Sequence, residues 1–385
     1  MTDSTARAEK QATTNTYQWY SPRCWHGMCA GDWLRMLRRN RWAVSPTRWG
    51  LAGTISVAAA FNSALAATQR LGWERKIRAT RLVADPIFIM GHWRAGTTLL
   101  HEILVQDERF SYPDTYACFA PNHFILSRPL MVPWLRFLLP KLRPMDNMRL
   151  GWDRPQEDEF ALANMGLPSP YESLAFPNRI SPGTAHLDTR QWSDAERAWW
   201  KDRFLWFLKC VTYRDPRQIV LKSPPHTARL KLLAELFPRA KFVHIARNPY
   251  ALFASTVRLW KSLAYVQGLQ VPRNEDLEEH VLGALEEMYA RLAEQQQHVC
   301  PKHFAEVRYE DLVADPEPAM RLVYQQLELG EFEAFLPKLD KYRSDTANYA
   351  AQRYDLPDAT CKMIRHRWAD YFQRYGYPDL STSDR

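Results

Sequence analysis

Gly91, Gly96, Thr97 and Thr98 have the residue types and spacing that suit an anionic ligand. They lie in the run GHWRAGTTLL, residues 91–100, after the apolar stretch 87–90 and at the head of a helical pattern. A strand that breaks into two glycines and reopens as a helix aims backbone N–H groups and the positive helix end at a phosphate. Nucleoside-triphosphate loops add a lysine directly after the second glycine, where it reaches the β- and γ-phosphates. Thr97 occupies that place here, and a cation, Arg94, sits inside the loop instead. A cation in that position faces a bridging oxygen rather than a terminal phosphate. The plain alternative is a tight strand-to-helix turn with no ligand.

Two further strand ends carry cations. In VLKSPPH, Lys222 closes an apolar run, at the end of the sheet where ligands collect and where an ammonium can neutralise a leaving oxygen. In ARNPYALFAS, Arg247 closes another, and Ser255 follows eight residues later. A guanidinium with a hydroxyl donor suits a second phosphate. Two separate phosphate sites on one sheet point to a nucleotide phosphorylated in two places.

The elements that must hold these residues alternate. Short apolar runs at 87–90, 218–221, 241–246 and 304–309 are separated by helical patterns, which predicts an α/β fold with a central parallel sheet and helices on both faces. Ser193 with Glu196 forms a capping box for one helix, and Asp315 with Pro316 starts another. The run 361–378 reads as one closing amphipathic helix. Residues 105–217 form a long aromatic insertion on the acceptor side. Residues 1–16 read as a disordered tail, 17–84 as a basic, Trp-rich helical segment, and 85–385 as the main domain.

Fifty-one Lys and Arg against 43 Asp and Glu give a net charge of +8, which favours an anionic ligand or surface. The six cysteines are dispersed, as expected of reduced thiols rather than a disulfide framework. The polar start lacks the apolar core of a secretory signal, so a cytoplasmic location is expected. Six arginines interleave with Trp25, Trp33, Trp42 and Trp49 over residues 23–49, followed by 18 uncharged residues at 51–68. The uncharged stretch reads first as an Ala-rich helix packed on the main domain, residues 23–70 next as a membrane-surface contact, and a helix spanning a bilayer comes last. No His/Cys/Asp spacing suggests a metal site, and no nucleophile elbow suggests a hydrolase.

GHWRAGTTLL, VLKSP and ARNPYALFAS, in this order, resemble the 3′-phosphoadenosine 5′-phosphosulfate (PAPS)-dependent sulfotransferases, over about residues 85–330. VRYEDLVADP resembles a further segment of those enzymes. The closest likeness is to the bacterial group that shares the Arg-x-Gly-Thr-Thr loop with tyrosylprotein sulfotransferases. The resemblance implies a P-loop-like three-layer fold. It implies that Gly91, Arg94, Ala95, Gly96, Thr97 and Thr98 wrap the 5′-phosphosulfate, with His92 either touching it or packing. Arg94 and Lys222 would stabilise the bridging oxygen, Arg247 and Ser255 the 3′-phosphate, and Tyr309 the adenine. The reaction implied is in-line sulfuryl transfer to a hydroxyl or amine, with no metal.

An acceptor hydroxyl needs a general base. Cytosolic members of the family place a histidine two residues beyond the lysine; here Pro224 stands there. Tyrosylprotein sulfotransferases use a glutamate about twenty residues after the loop arginine, and a gapless count brings Asp114 to that region. His123 and the acidic run Glu157, Asp158 and Glu159 are the other candidates, the run reading equally as a solvated helix start. The aromatic insertion suggests a carbohydrate, lipid or glycolipid acceptor. A P-loop kinase would need a lysine at Thr97. A membrane-surface or nucleic-acid binding protein would leave three cation-bearing strand ends unexplained, so nucleic acid is not expected as a partner.

Overall fold

The computed structural model describes residues 21–135, 151–179, 186–346 and 356–378, so the expected tail at 1–16 lies outside the described residues. In chain order, α1 (Ala30–Arg39) and the long α2 (Trp49–Ala79) precede β1 (Ile87–Met90) and α3 (Thr97–Leu104). The insertion contributes β2 (Phe110–Ser111), α4 (Thr115–Phe119), α5 (Phe124–Leu135), α6 (Asp158–Asn164), α7 (Glu172–Ala175) and α8 (Asp194–Arg214). Then follow β3 (Gln218–Lys222), α9 (Leu230–Leu236), β4 (Lys241–Ala246), α10 (Pro249–Gln267), α11 (Leu277–Gln296) and β5 (Phe304–Arg308). The chain closes with α12 (Tyr309–Ala314), α13 (Pro316–Gln326), α14 (Leu336–Thr346), α15 (Asp358–Arg367) and α16 (Ala369–Tyr375).

The five strands order as β2-β3-β1-β4-β5, and every pairing is parallel. All four residues of β1 are buried, which a strand covered by helices on both faces requires. Alternation then sorts the strand residues between two cores. Ile87, Ile89, Val220, Val243 and Ile245 belong to one. Phe88, Met90, Leu221 and Phe242 belong to the other. This is the three-layer α/β architecture that the alternating runs predicted.

The four predicted strands lie where expected, and both predicted caps form. Ser193 and Glu196 close their box, and Asp315 accepts from Glu317 N. Two features differ. β2 adds an edge strand of two residues, too short to leave a periodic signature. The closing helix is two helices broken at Trp368, whose side chain is fully buried and whose indole N–H donates to Leu282 O. Tertiary packing there overrides a continuous helical period.

The N-terminal segment packs on the main body. Trp25 and Trp33 are core residues, and the Trp25 indole donates to Gln267 O at 2.8 Å. α2 buries the stripe Ile55, Ala59, Asn62, Ala66, Gln69 and Ile77. Asn62 donates to His26 O and Met28 O, and Gln69 donates to Asn122 O and accepts from Leu126 N.

Candidate active site

The loop after β1 is shaped by its glycines. Gly91 has φ +148°, and a Cβ there would lie 2.6 Å from Ile245 O. Gly96 has φ +107°, and a Cβ would meet the Tyr309 ring at 2.4 Å. Only glycine fits either position. Arg94 itself adopts φ +67°, a left-handed conformation that costs a non-glycine residue energy and recurs at functional sites. The Gly91 N–H is held by Thr227 Oγ1 at 2.9 Å, and Thr97 and Thr98 open α3.

Arg94, Arg247, Ser255 and Tyr309 come together although they lie up to 215 residues apart in the chain. Arg94 Nε donates to Ser255 Oγ at 2.8 Å, and Arg247 Nη1 donates to Arg94 O at 2.8 Å. The Arg247 guanidinium lies 4.2 Å from the centre of the Tyr309 ring, a cation–π contact. Tyr371 fixes the Arg247 backbone by accepting from its N–H and donating to its carbonyl. Asn248 caps α10 through Tyr250 N and Ala251 N, so the turn after β4 is locked at both ends.

Lys222, at the end of β3, is 1% exposed. A buried ammonium requires a counter-charge, and Glu157 Oε1 supplies it at 2.6 Å. Thr98 Oγ1 lies 3.3 Å from the same ammonium, which ties the lysine to the loop. The second Glu157 oxygen accepts from the Tyr171 hydroxyl, which in turn accepts from Trp93 Nε1 at 3.1 Å. Burial, then the Glu157 charge, pushes the Tyr171 phenol well above its ordinary range, so it stays protonated and donates.

Glu157, Asp158 and Glu159 are not a solvated helix start. Asp158 and Glu159 are fully buried, and each of the three acids meets one basic residue from the end of β3 or the segment that follows it. Glu157 meets Lys222, Asp158 meets His226 at 2.7 Å, and Glu159 meets Arg229 at 2.6 Å. Ser223 Oγ reinforces the join, donating to Asp158 Oδ1 and accepting from Glu159 N. Burial opposes ionisation of Asp158, but the contacts from His226 and Ser223 outweigh it and hold the carboxyl below its usual range. Glu157 is the helix N-cap, in extended conformation.

The other base candidates have structural partners. Asp114 caps α4 by accepting from Ala117 N, and its other oxygen closes on Arg128 at 2.7 Å and Arg214 at 2.6 Å. His123 sits between Ser127 Oγ and Asn62 Oδ1, and burial lowers its pKa to about 4. Both side chains are thus engaged by partners within the protein. His92 Nδ1 lies 2.9 Å from Trp93 O, its Nε2 is buried with no hydrogen-bond partner among the described residues, and burial lowers the ring's pKa to about 4. Trp93 and Tyr171 were not anticipated. Trp93 lies inside the loop run, but Tyr171 stands in no motif and only the fold brings it to Glu157.

The sulfotransferase family profile matches residues 86–334. The chain belongs to the sulfotransferase family. Omega-hydroxy-beta-dihydromenaquinone-9 sulfotransferase Stf3 of Mycobacterium bovis is 42% identical over 360 residues, covering 94% of this chain and 92% of the relative. The Stf3 protein of Mycobacterium tuberculosis matches to the same extent. Among solved structures, the sulfotransferase STF9 from Mycobacterium avium superposes with TM-score 0.62 at 16% identity, covering 90% of this chain and 96% of that one. STF1 from Mycobacterium tuberculosis superposes with TM-score 0.58 at 17% identity, covering 88% and 90%. These superpositions show the fold. The chain is thus a sulfotransferase, an enzyme of the bacterial type expected from its loop and strand-end residues.

Proposed function

We propose that this enzyme moves the sulfuryl group of PAPS to a hydroxyl on a lipid-like acceptor. The observation that carries the reading is the 2.6 Å contact between Lys222 and Glu157, beside the glycine loop. A cation able to hold charge on a leaving oxygen stands next to a carboxylate able to accept a proton.

The residues present fit the nucleotide. Gly91 and Gly96 let the loop turn where a Cβ would strike Ile245 O or the Tyr309 ring, and Arg94, Lys222, Arg247 and Ser255 supply cations and a hydroxyl at or after the ends of three separate strands. Gly91, Arg94, Ala95, Gly96, Thr97 and Thr98 would hold the 5′-phosphosulfate. Arg247 and Ser255 would hold the 3′-phosphate, and Tyr309 the adenine. When bound, the phosphosulfate supplies an activated sulfuryl group on a mixed anhydride.

The side chains do the rest. Arg94 and Lys222 stabilise negative charge where it develops. Their positive charge does the work that a divalent ion does in phosphoryl transfer. Glu157 takes the proton of the acceptor hydroxyl, and Tyr171 orients its carboxylate. An anion arriving at Lys222 competes with Glu157 for the ammonium, which leaves the carboxylate available to the hydroxyl. Catalysis is then mainly positioning and charge stabilisation.

The relatives' name, with its omega-hydroxyl on a menaquinone derivative, supports an acceptor hydroxyl on a long apolar molecule. Such an acceptor dissolves in a bilayer, which supports an enzyme working at a membrane surface. The test is transfer of radiolabelled sulfate from PAPS to hydroxylated isoprenoid quinones, with ATP and magnesium as the competing donor. A sulfated, anionic lipid product is expected; phosphorylation by ATP with none from PAPS overturns the reading.

A further inference from the structure

The outer face of α2 has the reverse of the usual surface pattern. Residues 49–69 hold no charged side chain. Their polar side chains are all engaged within the protein. Asn62 and Gln69 point inward, as described above. Ser56 accepts from the Trp33 indole at 2.9 Å, and Ser63 accepts from Ala30 N at 2.9 Å. Thr54 and Thr68 donate back to helix carbonyls.

What faces outward is apolar. Trp49 is 66% exposed, Val57 74%, Phe61 53% and Leu71 91%. Gly50, Gly53, Ala60, Ala64 and Ala67 fill the stripe between them at helical spacing. Large contiguous apolar surface of this kind marks an interaction site. The turn after α1 extends it: Arg41 and Trp42 both adopt positive φ, and Trp42 is 58% exposed.

The charge around this face selects the partner. Residues 21–84 hold eleven Lys and Arg against Asp32 and Glu74, a net +9, whereas the whole chain carries +8. The rest of the protein is therefore close to neutral. Both acids are already paired, Asp32 with Arg35 and Glu74 with Arg78. Arg41 and Arg48 precede the uncharged stretch, and Arg70, Arg75, Lys76 and Arg78 follow it.

We infer that the outer face of α2 and the Trp42 turn lie on an anionic lipid bilayer, apolar side chains in the acyl boundary and flanking arginines among the headgroups. This is the arrangement of an interfacial helix. α2 is long and apolar enough to cross a membrane, at 31 residues, but Ser56, Asn62, Ser63 and Gln69 tether it to the body of the protein along that run. It lies on the bilayer rather than through it. The docked face connects to the acceptor side of the site. Arg39 and Asn40, at the end of α1, both bond Glu172, the neighbour of Tyr171.

The test is flotation of the full chain with vesicles of phosphatidylcholine alone or mixed with phosphatidylglycerol, without nucleotide or acceptor. A failed sulfotransferase reading therefore does not affect it. Binding to the anionic vesicles should exceed neutral binding by about tenfold. The double variant Val57→Glu/Phe61→Glu should lose about tenfold or more of that binding. Its affinity for 3′-phosphoadenosine 5′-phosphate, the product nucleotide, should be unchanged. Trp49→Ser/Leu71→Ser provides the same test should the first variant fold poorly. Alkaline carbonate should release the bound protein. Four results would overturn the inference: no flotation of the parent, flotation that the variants leave unchanged, carbonate-resistant insertion, or a parent dimer that the variants dissociate.

Discussion

Replacing Glu157 by Gln tests the proposed chemistry most directly. The amide keeps the shape and can still accept from Lys222 or Tyr171, but it cannot take a proton. Loss of a positioned general base costs roughly 10²–10⁴-fold in rate, or about 2.7–5.5 kcal/mol of barrier. The same change removes the counter-charge of an ammonium that is 1% exposed. Breaking a buried pair costs about 3–5 kcal/mol. Here Glu157 retains 15% exposure and the amide still accepts a bond, so about 1–3 kcal/mol is expected. That lowers Tm by a few degrees, and assays at 25 °C read the chemical effect. Binding of the product nucleotide by calorimetry should hold or tighten, because Lys222 no longer has a competing carboxylate. Activity within about tenfold of the parent, with nucleotide binding intact, would refute Glu157 as base.

Other outcomes follow from the same geometry. Arg247→Ala should weaken 3′-phosphoadenosine 5′-phosphate binding by about 10–150-fold, the worth of charge-assisted bonds; adenosine diphosphate binding, measured alongside in EDTA, should change little. Gly96→Ala forces a Cβ against the Tyr309 ring at positive φ, so nucleotide affinity should fall more than tenfold (about 1.4 kcal/mol) or Tm should drop by several degrees. Tyr171→Phe removes one donor to Glu157 and should cut kcat about 5–30-fold, about 1–2 kcal/mol, with KM for the nucleotide unchanged. Burial holds His92 and His123 at pKa about 4 and His101 at about 3, below the ordinary value of 6.5. The unfolded chain therefore binds more protons between those values. Stability is full above pH 6.5 and falls as pH drops towards 4, by at most about 1.4 kcal/mol per histidine per unit; guanidinium unfolding at pH 7, 6 and 5 reads it.

What was legible in the chain was local. Strand ends, the glycine pair and the caps depend on neighbours within a few residues, and they emerged with their positions. The phosphate-type cations were legible for the same reason, since a strand end fixes where Lys222 and Arg247 point. The base was not. Asp114 came from counting along the chain, and its two arginine partners lie 14 and 100 residues away. The matching of Glu157, Asp158 and Glu159 with Lys222, His226 and Arg229 joins segments some 65–70 residues apart, which no periodicity reports. The Trp-rich start looked uniform, yet Trp25 and Trp33 are core while Trp42 and Trp49 are surface. Only the partners of each turn of helix decide that.

The sheet order has a consequence for how the enzyme is made. β1 is central, pairing with β3 and β4, yet it leaves the ribosome before either. Ile87 pairs with Val220 and with Lys241, 133 and 154 residues later. At roughly 5–20 residues per second, β1 waits about 7–30 s for its neighbours. Throughout that interval IFIM is an unpaired apolar strand with two free edges, the kind of segment that chaperones hold and that aggregates when they do not. Nascent chains stalled before Lys222 should therefore be sticky and protease-sensitive, and protection should arise abruptly once Ala246 has emerged. Expression yield in a foreign host would be governed by that window more than by the stability of the finished protein.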